Sequence, residues 1–203
     1  MEFDKTLQQM DADGITLDYG ILRGSDHIVF IKSGRGGSHV GEEEKYLKMA
    51  QRIHAAFGYS VICASNPTNA ATDEETDRHM IKVYADDAGF SNFSLTLIGS
   101  SNGANRILLL ATVFSQTRRL LCINMPLMIN YHKTAKHLAL LPTVEKLFAY
   151  GTRDPSCSYL PILEAKQDPL CRVVRVQNAD HTFHGQLDEL MALVDSFMHG
   201  EIL

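Results

Sequence analysis

No CxxC pair occurs among the four cysteines, Cys63, Cys122, Cys157 and Cys171, which removes the zinc-ribbon and thioredoxin readings that depend on two close thiolates. Nor is there an excess of basic residues. Nineteen Lys and Arg stand against 24 Asp and Glu, for a formal charge of −5, and such a chain has no broad positive field to hold a phosphate backbone. Nucleic acid is therefore not an expected partner. The longest apolar run, Ile107 to Phe114, is interrupted by Thr112 and falls far short of the roughly 18 residues that suggest a membrane span. The start, Met-Glu-Phe-Asp-Lys, has no basic segment leading into an apolar stretch, so no secretory signal is expected. A reduced, cytoplasmic setting follows, with Cys63 and Cys122 as inert thiols inside apolar runs. Internal repeats, low-complexity tracts and a convincing interdomain linker are missing too.

What is present is ordinary globular composition, 203 residues with 45% apolar and 21% charged, which suits a single domain over residues 1–203. Several short runs are apolar without alternation: Ile28–Ile31, Val61–Ala64, Leu95–Ile98 and Leu120–Ile123. Such runs fit strands covered on both faces, as in a parallel sheet between helices. Lys146–Tyr150 and Arg172–Val176 are two further candidates. Ile15–Leu22 alternates better and leads into Arg23-Gly24-Ser25-Asp26, which reads as a hairpin turn after an antiparallel edge strand. Helical patterns separate the strands. Glu42–Phe57 places Tyr46, Met49, Ala50, Ile53 and Phe57 on one stripe, with three acids in its expected first turn and Gly58 as its stop. Asp73–Ala88 is more polar, Gly103–Ser115 is apolar almost all round, and Gln186–Met198 turns Leu187, Leu190, Met191, Val194 and Phe197 inward. Alternating strand and helix gives an α/β class: a mostly parallel, doubly wound sheet of about seven strands flanked by helices.

One motif carries chemistry. The strand ending at Ile98 runs into Gly99-Ser100-Ser101-Asn102-Gly103, and a helix follows. In G-x-S-x-G a nucleophilic serine stands on a turn so tight that side chains two before and two after would collide. The pattern selects Ser101 over Ser100, with Gly99 and Gly103 as the permissive positions. A serine needs a base, and the base needs an orienting carboxylate. Asp154, in Gly151-Thr152-Arg153-Asp154-Pro155, lies just past one strand, and His181, in Asn178-Ala179-Asp180-His181-Thr182-Phe183, just past the last. Strand ends of an open α/β sheet share one crevice.

These three segments together resemble the α/β-hydrolase superfamily from about Asp26 to Met198; the latter two look like its usual settings for the acid and the histidine. The resemblance implies Ser101 as nucleophile, Asp154 as acid and His181 as general base. It further implies an oxyanion hole from the amide of Asn102 and one from the loop Ser33-Gly34-Arg35-Gly36-Gly37-Ser38, leaving Arg35 and Gly36 as alternatives for the second donor. The family often opens this loop with His-Gly, whereas this chain has Ser33-Gly34; since the donor is a backbone amide, the difference does not exclude activity, but it leaves the second donor open between Arg35 and Gly36. Inserted caps in this family often follow the strand that ends near Ile123. Only some twenty residues separate Met125 from Val144, enough for one short helix through Tyr131–Leu140 and not for a large lid. Leu127, Met128 and Ile129 could line an acyl pocket there or fill the core.

Rival readings fail on required residues. Gly34-x-Gly36 follows a strand, but His39 occupies the third dinucleotide-fingerprint position, and the next strand ends Ala64-Ser65-Asn66 without a ribose-binding acid. Gly36–Gly41 has P-loop spacing, but Glu42 and Glu43 replace the Lys-Ser/Thr pair. His184, three residues after His181, competes as base and with Asp180 hints at a metal, yet no HExxH or second Cys/His cluster supports one. His39, His79, His132 and His137 read as solvated, and Asp168 and Asp180 fit the acid's place less well than Asp154. No metal or organic cofactor is expected. The expected activity is hydrolysis of an ester or thioester of a small acyl substrate through an acyl-enzyme. The alternatives are a non-catalytic binding protein on the same scaffold, or a triad acting on a peptide or carbon–carbon bond.

Overall fold

A computed structural model describes residues 2–70, 74–166 and 168–201, apart from the side chains at 129 and 130. Asp73, the expected start of a helix, and the side chain of Ile129 lie outside the described part. The strands are β1 (Lys5–Met10), β2 (Thr16–Leu22), β3 (Ser25–Lys32), β4 (Tyr59–Ala64), β5 (Ser94–Ser100), β6 (Thr117–Ile123), β7 (Glu145–Gly151) and β8 (Cys171–Val176). The helices are α1 (Lys45–Phe57), α2 (Glu75–Asp87), α3 (Asn102–Val113), α4 (Leu127–Ala139), α5 (Leu160–Glu164) and α6 (Leu187–His199). All eight strands form one sheet in the order β1-β2-β4-β3-β5-β6-β7-β8. β3 through β8 pair in parallel, while β1 and β2 run antiparallel at one edge.

Both faces are covered, which explains the unalternated apolar runs. Phe30, Ile62, Leu97, Leu120 and Phe148 pack on one face against α2, α3 and α4; Val29, Ile31, Val61, Ile98 and Leu121 pack on the other against α1 and α6. The chain leaves β3 for α1 on one face and leaves β5 for α3 on the opposite face. Because β3 and β5 are neighbours, a crevice opens between their carboxyl ends, the switch point at which open α/β sheets place their ligands.

Four expectations change. β2 does not pair with β3: β4 lies between them, and β2 is itself covered by β1. The Arg23–Asp26 segment is thus not a hairpin turn; the Ser25 amide instead donates to the Gly58 carbonyl. β1, Lys-Thr-Leu-Gln-Gln-Met, escaped notice because an edge strand with largely exposed residues needs no hydrophobic pattern. Glu42–Glu44 form a separate 3-10 turn before α1, with Glu43 and Glu44 in left-handed conformation (φ 52° and 60°), so these acids do not occupy the first turn of the helix. α4 also begins earlier than expected, at Leu127, and packs against α3.

Charge lies inside the sheet as well. Lys32, at the end of β3, is fully buried and bonds Asp77 of α2 through both carboxylate oxygens, at 2.9 and 2.8 Å. The Tyr19 hydroxyl of β2 donates to the same carboxylate at 2.9 Å. The acid is thereby satisfied on all sides, the condition under which a buried pair is tolerated. Lys146 of β7 is likewise buried and reaches the Leu141 carbonyl and Asp168. The four cysteines are free thiols, and burial pushes Cys63 and Cys122 well above the usual thiol range.

Candidate active site

The sharpest backbone feature of the crevice is Ser101, between β5 and α3, with φ 52° and ψ −123°. A non-glycine residue in this region is strained and persists only where its surroundings hold it. Its amide donates to the Ile123 carbonyl at the end of β6, at 2.7 Å. A Cβ on Gly103 would sit 2.3 Å from the Ser33 carbonyl oxygen, and one on Gly99 would sit 2.6 Å from that of Gly103. Both glycines are therefore demanded by close approach, Gly103 because α3 enters directly against the end of β3. The first amides of α3 have no partner within the helix, so the turn sets the start of α3, at Asn102, beside the serine.

His181 comes from the loop after β8. Its Nε2 lies 2.8 Å from Ser101 Oγ, and its Nδ1 is hydrogen-bonded to Asp154 Oδ2. Asp154 follows β7 and is buried; its other oxygen accepts the Ser156 amide at 2.6 Å. Three side chains from three strand ends thus form one continuous line. The bond to Asp154 raises the His181 pKa above its ordinary 6.5, against partial burial, which lowers it; the charges of Asp154 and Asp180 add to the rise, and Lys45 opposes it. With Nδ1 facing a carboxylate, Nδ1 carries the proton and the neutral ring presents Nε2 as acceptor to the serine.

Two asparagines hold this line, and neither drew attention in the sequence. Asn124, fully buried at the end of β6 with φ 47°, donates from Nδ2 to the Asp180 and His181 carbonyls at 3.0 and 2.9 Å. Its Oδ1 accepts the Gly151 amide at 2.9 Å. One amide therefore joins the histidine loop to the strand that carries the acid. A Cβ on Gly151 would lie 2.2 Å from the Ala179 carbonyl, so glycine there permits that approach. Asn66, past β4, donates to the Ser33 carbonyl at 3.1 Å and to Asn102 Oδ1 at 3.2 Å. The available signal was positional: each is the polar residue standing just beyond an apolar strand.

The loop after β3 lies against the serine, with Gly34 beside Ser101. The Gly36 amide donates to the Asn66 carbonyl at 2.7 Å, and the Gly37 amide to Gly34 at 2.9 Å. The Gly36 amide is thus engaged. A cleft of about 270 Å³ at this point is lined by Arg35, Lys45, Tyr46, Ser101 and His181 among others. Lys45 donates to the Thr182 carbonyl at 3.1 Å, and burial holds its ammonium below the usual range, with Glu42 opposing.

The remaining candidates sit elsewhere. His184 is exposed, and its amide, like that of Thr182, donates to Asp180 Oδ1. Asp180 shapes the histidine loop, and these amide bonds lower its pKa. Asp168 pairs with Lys146 away from the crevice. Among the described residues, no three His, Cys, Asp or Glu side chains gather as metal ligands would, and no helix is long and apolar enough to cross a membrane. The acyl-pocket expectation requires correction: Leu127 is 1% exposed and packs in the core under α4, and Met128 is 63% exposed, its sulfur accepting the Tyr159 hydroxyl. Neither is among the residues that line the cleft.

No protein-family model matches the sequence, and neither does any curated protein sequence. Solved structures match along its length. A putative alpha/beta hydrolase from Agrobacterium tumefaciens superposes with a TM-score of 0.73 at 14% identity, over 97% of this chain and 98% of that one. Est1E from Butyrivibrio proteoclasticus gives 0.68 at 16% identity, over 96% and 98%. A protein from Xanthomonas campestris, described as an a/b serine hydrolase without lid, gives 0.64 at 20% identity, over 96% and 92%. The shared architecture is the α/β-hydrolase fold.

Proposed function

We propose that this chain of α/β-hydrolase fold is a serine hydrolase that cleaves an ester or thioester of a small acyl substrate. The observation that carries the reading is the unbroken line from Ser101 Oγ through both nitrogens of His181 to the buried Asp154. The geometry is that of an activated nucleophile with its base already oriented.

As Ser101 Oγ attacks the substrate carbonyl carbon, its proton passes to His181 Nε2. Asp154 keeps the ring's other proton on Nδ1 and stabilises the imidazolium that forms. The carbonyl oxygen becomes an oxyanion held by the amides of Asn102 and Arg35, fixed donors that need no reorganisation as charge develops. Collapse of this intermediate expels the alcohol or thiol, which takes the proton from His181. The resulting acyl-Ser101 is cleaved by water that His181 deprotonates in turn, and the acid product leaves. No step calls on a metal or organic cofactor. The open cleft suits a small-molecule substrate, and the free thiols suit a reducing compartment such as the cytoplasm.

Ser101→Ala tests the assignment. It should abolish both turnover of a short-chain 4-nitrophenyl ester and covalent labelling by a fluorophosphonate probe. Labelling retained at another serine would sink it.

A further inference from the structure

Beside the cleft lies a larger hollow of about 400 Å³, between α3, α4 and the segment after β4. It contains Arg35 and Asn102, the two residues assigned as oxyanion donors, but not His181. That placement has a direction. His181 must hand its proton to the leaving group, so the leaving group lies on the histidine side, and the hollow on the opposite side of the carbonyl faces the acyl group.

Its lining is cationic. Arg35, Arg106, Lys133 and His137 line the wall, and among the described residues no acidic side chain does. Arg35 is laid along the rim by a bond from Nε to the Thr68 carbonyl at 3.3 Å. The charges of the buried Lys32–Asp77 pair lie behind Arg106. His137 is held below its ordinary pKa by burial and by Lys136 and Lys133, with Glu74 opposing, so near neutral pH it offers an N–H and not a charge. A second, independent observation points to a ligand. Thr134 Oγ1, on a side chain 1% exposed, and the buried Asn105 Nδ2 have no hydrogen-bond partner among the described residues, and both residues line the hollow. Buried polar atoms in native proteins are nearly always paired.

Resting on the serine-hydrolase reading, we propose that this hollow binds a carboxylate or phosphate at the far end of the acyl group, so that the preferred substrates are esters of acids carrying a second anionic group. Lys133 and the Arg35 guanidinium supply charge, Thr134 and Asn105 supply hydrogen bonds, and the nearby start of α3 adds its positive end. A neutral acyl chain in the same place would leave these groups unpaired, the situation in which a polar site discriminates strongly.

The test compares 4-nitrophenyl hydrogen glutarate with 4-nitrophenyl pentanoate, equal acyl chains with and without a terminal carboxylate. The expected kcat/KM favours the glutarate ester by about tenfold or more, the scale of one charge-assisted hydrogen bond. Lys133→Glu should erase about tenfold of that preference; Lys133→Gln and His137→Gln should each erase a smaller part. Equal rates on the two esters, or a preference indifferent to Lys133, would overturn the proposal. Titrating Ser101→Ala protein with glutarate and with inorganic phosphate, followed by amide NMR, separates the two anions and separates the hollow from the chemistry. Lys133-dependent binding without any ester hydrolysis would leave the hollow standing and remove the hydrolase reading. Hydrolysis with no saturable anion binding would do the reverse.

Discussion

The protein holds two acid–base pairs at strand ends of the same sheet, Lys32–Asp77 at the end of β3 and Asp154–His181 after β7 and β8, and they are built to opposite purposes. Lys32–Asp77 is sealed, with side-chain exposures of 0% and 4% and three bonds converging on one carboxylate. Asp154–His181 is sealed on one side only: the carboxylate is at 0% and the imidazole at 44%. The first pair fixes β2, β3 and α2 relative to one another. In the second, burying the acid alone fixes the ring's tautomer while leaving its far nitrogen open to the serine. Of the two pairs, only the second reaches the crevice, where the proposed chemistry would use it.

That contrast can be broken from either side. The largest effect belongs to Asp154→Asn, which keeps the shape and reverses the preferred tautomer; kcat should fall about 10⁴-fold with circular dichroism unchanged, and a loss under tenfold would deny Asp154 its role. Lys32→Met should do the opposite, lowering unfolding free energy by about 3–5 kcal/mol because Asp77 is left charged and buried. Denaturant titration reads this, and the folded fraction should still be labelled at Ser101 by fluorophosphonate. Lys32→Met combined with Asp77→Leu should recover much of the loss. Asn124→Ala lies between the two cases, since it frees the histidine loop without touching the reacting atoms. A stability cost of about 1–3 kcal/mol is expected together with a fall in kcat at nearly constant KM; a fall in stability alone would reduce Asn124 to a structural residue.

The smallest effect is on the pH profile, and its sign differs for function and stability. Catalysis needs neutral His181, so kcat/KM should rise with pH to a midpoint above 6.5, and Asp154→Asn should move that midpoint downward. The pair stabilises the fold only while His181 is protonated. That contribution is complete below about 6.5 and fades as pH climbs through the raised value, so it declines over the window in which activity appears.

Seven of the strands described were legible: β3 to β6 as continuous apolar runs because the sheet is covered on both faces there, β2 by its alternation, and β7 and β8 by shorter apolar stretches. β1 was not, since exposed edge residues are under no such constraint. The Gly99–Gly103 turn was legible for a related reason: both glycines are sterically compelled, and compulsion leaves a spacing in the sequence. Asn66 and Asn124 left no such trace. An asparagine past a strand is common, and its value here comes from carbonyls that only the folded chain brings near. The same holds for Lys32, whose partner lies 45 residues away, and for Thr134, Asn105 and Lys133, which meet only because α4 packs on α3.

By itself, then, the amino-acid order determined the alternation of strands and helices, the position of the tight turn, and the residue types that follow three strand ends, because each is a local demand of burial or backbone sterics. The tertiary structure decided the rest: the strand order that opens the crevice between β3 and β5, the engagement of the Gly36 amide by Asn66, and the basic hollow beside the cleft. Those depend on distances between segments far apart in the chain, which no local preference encodes.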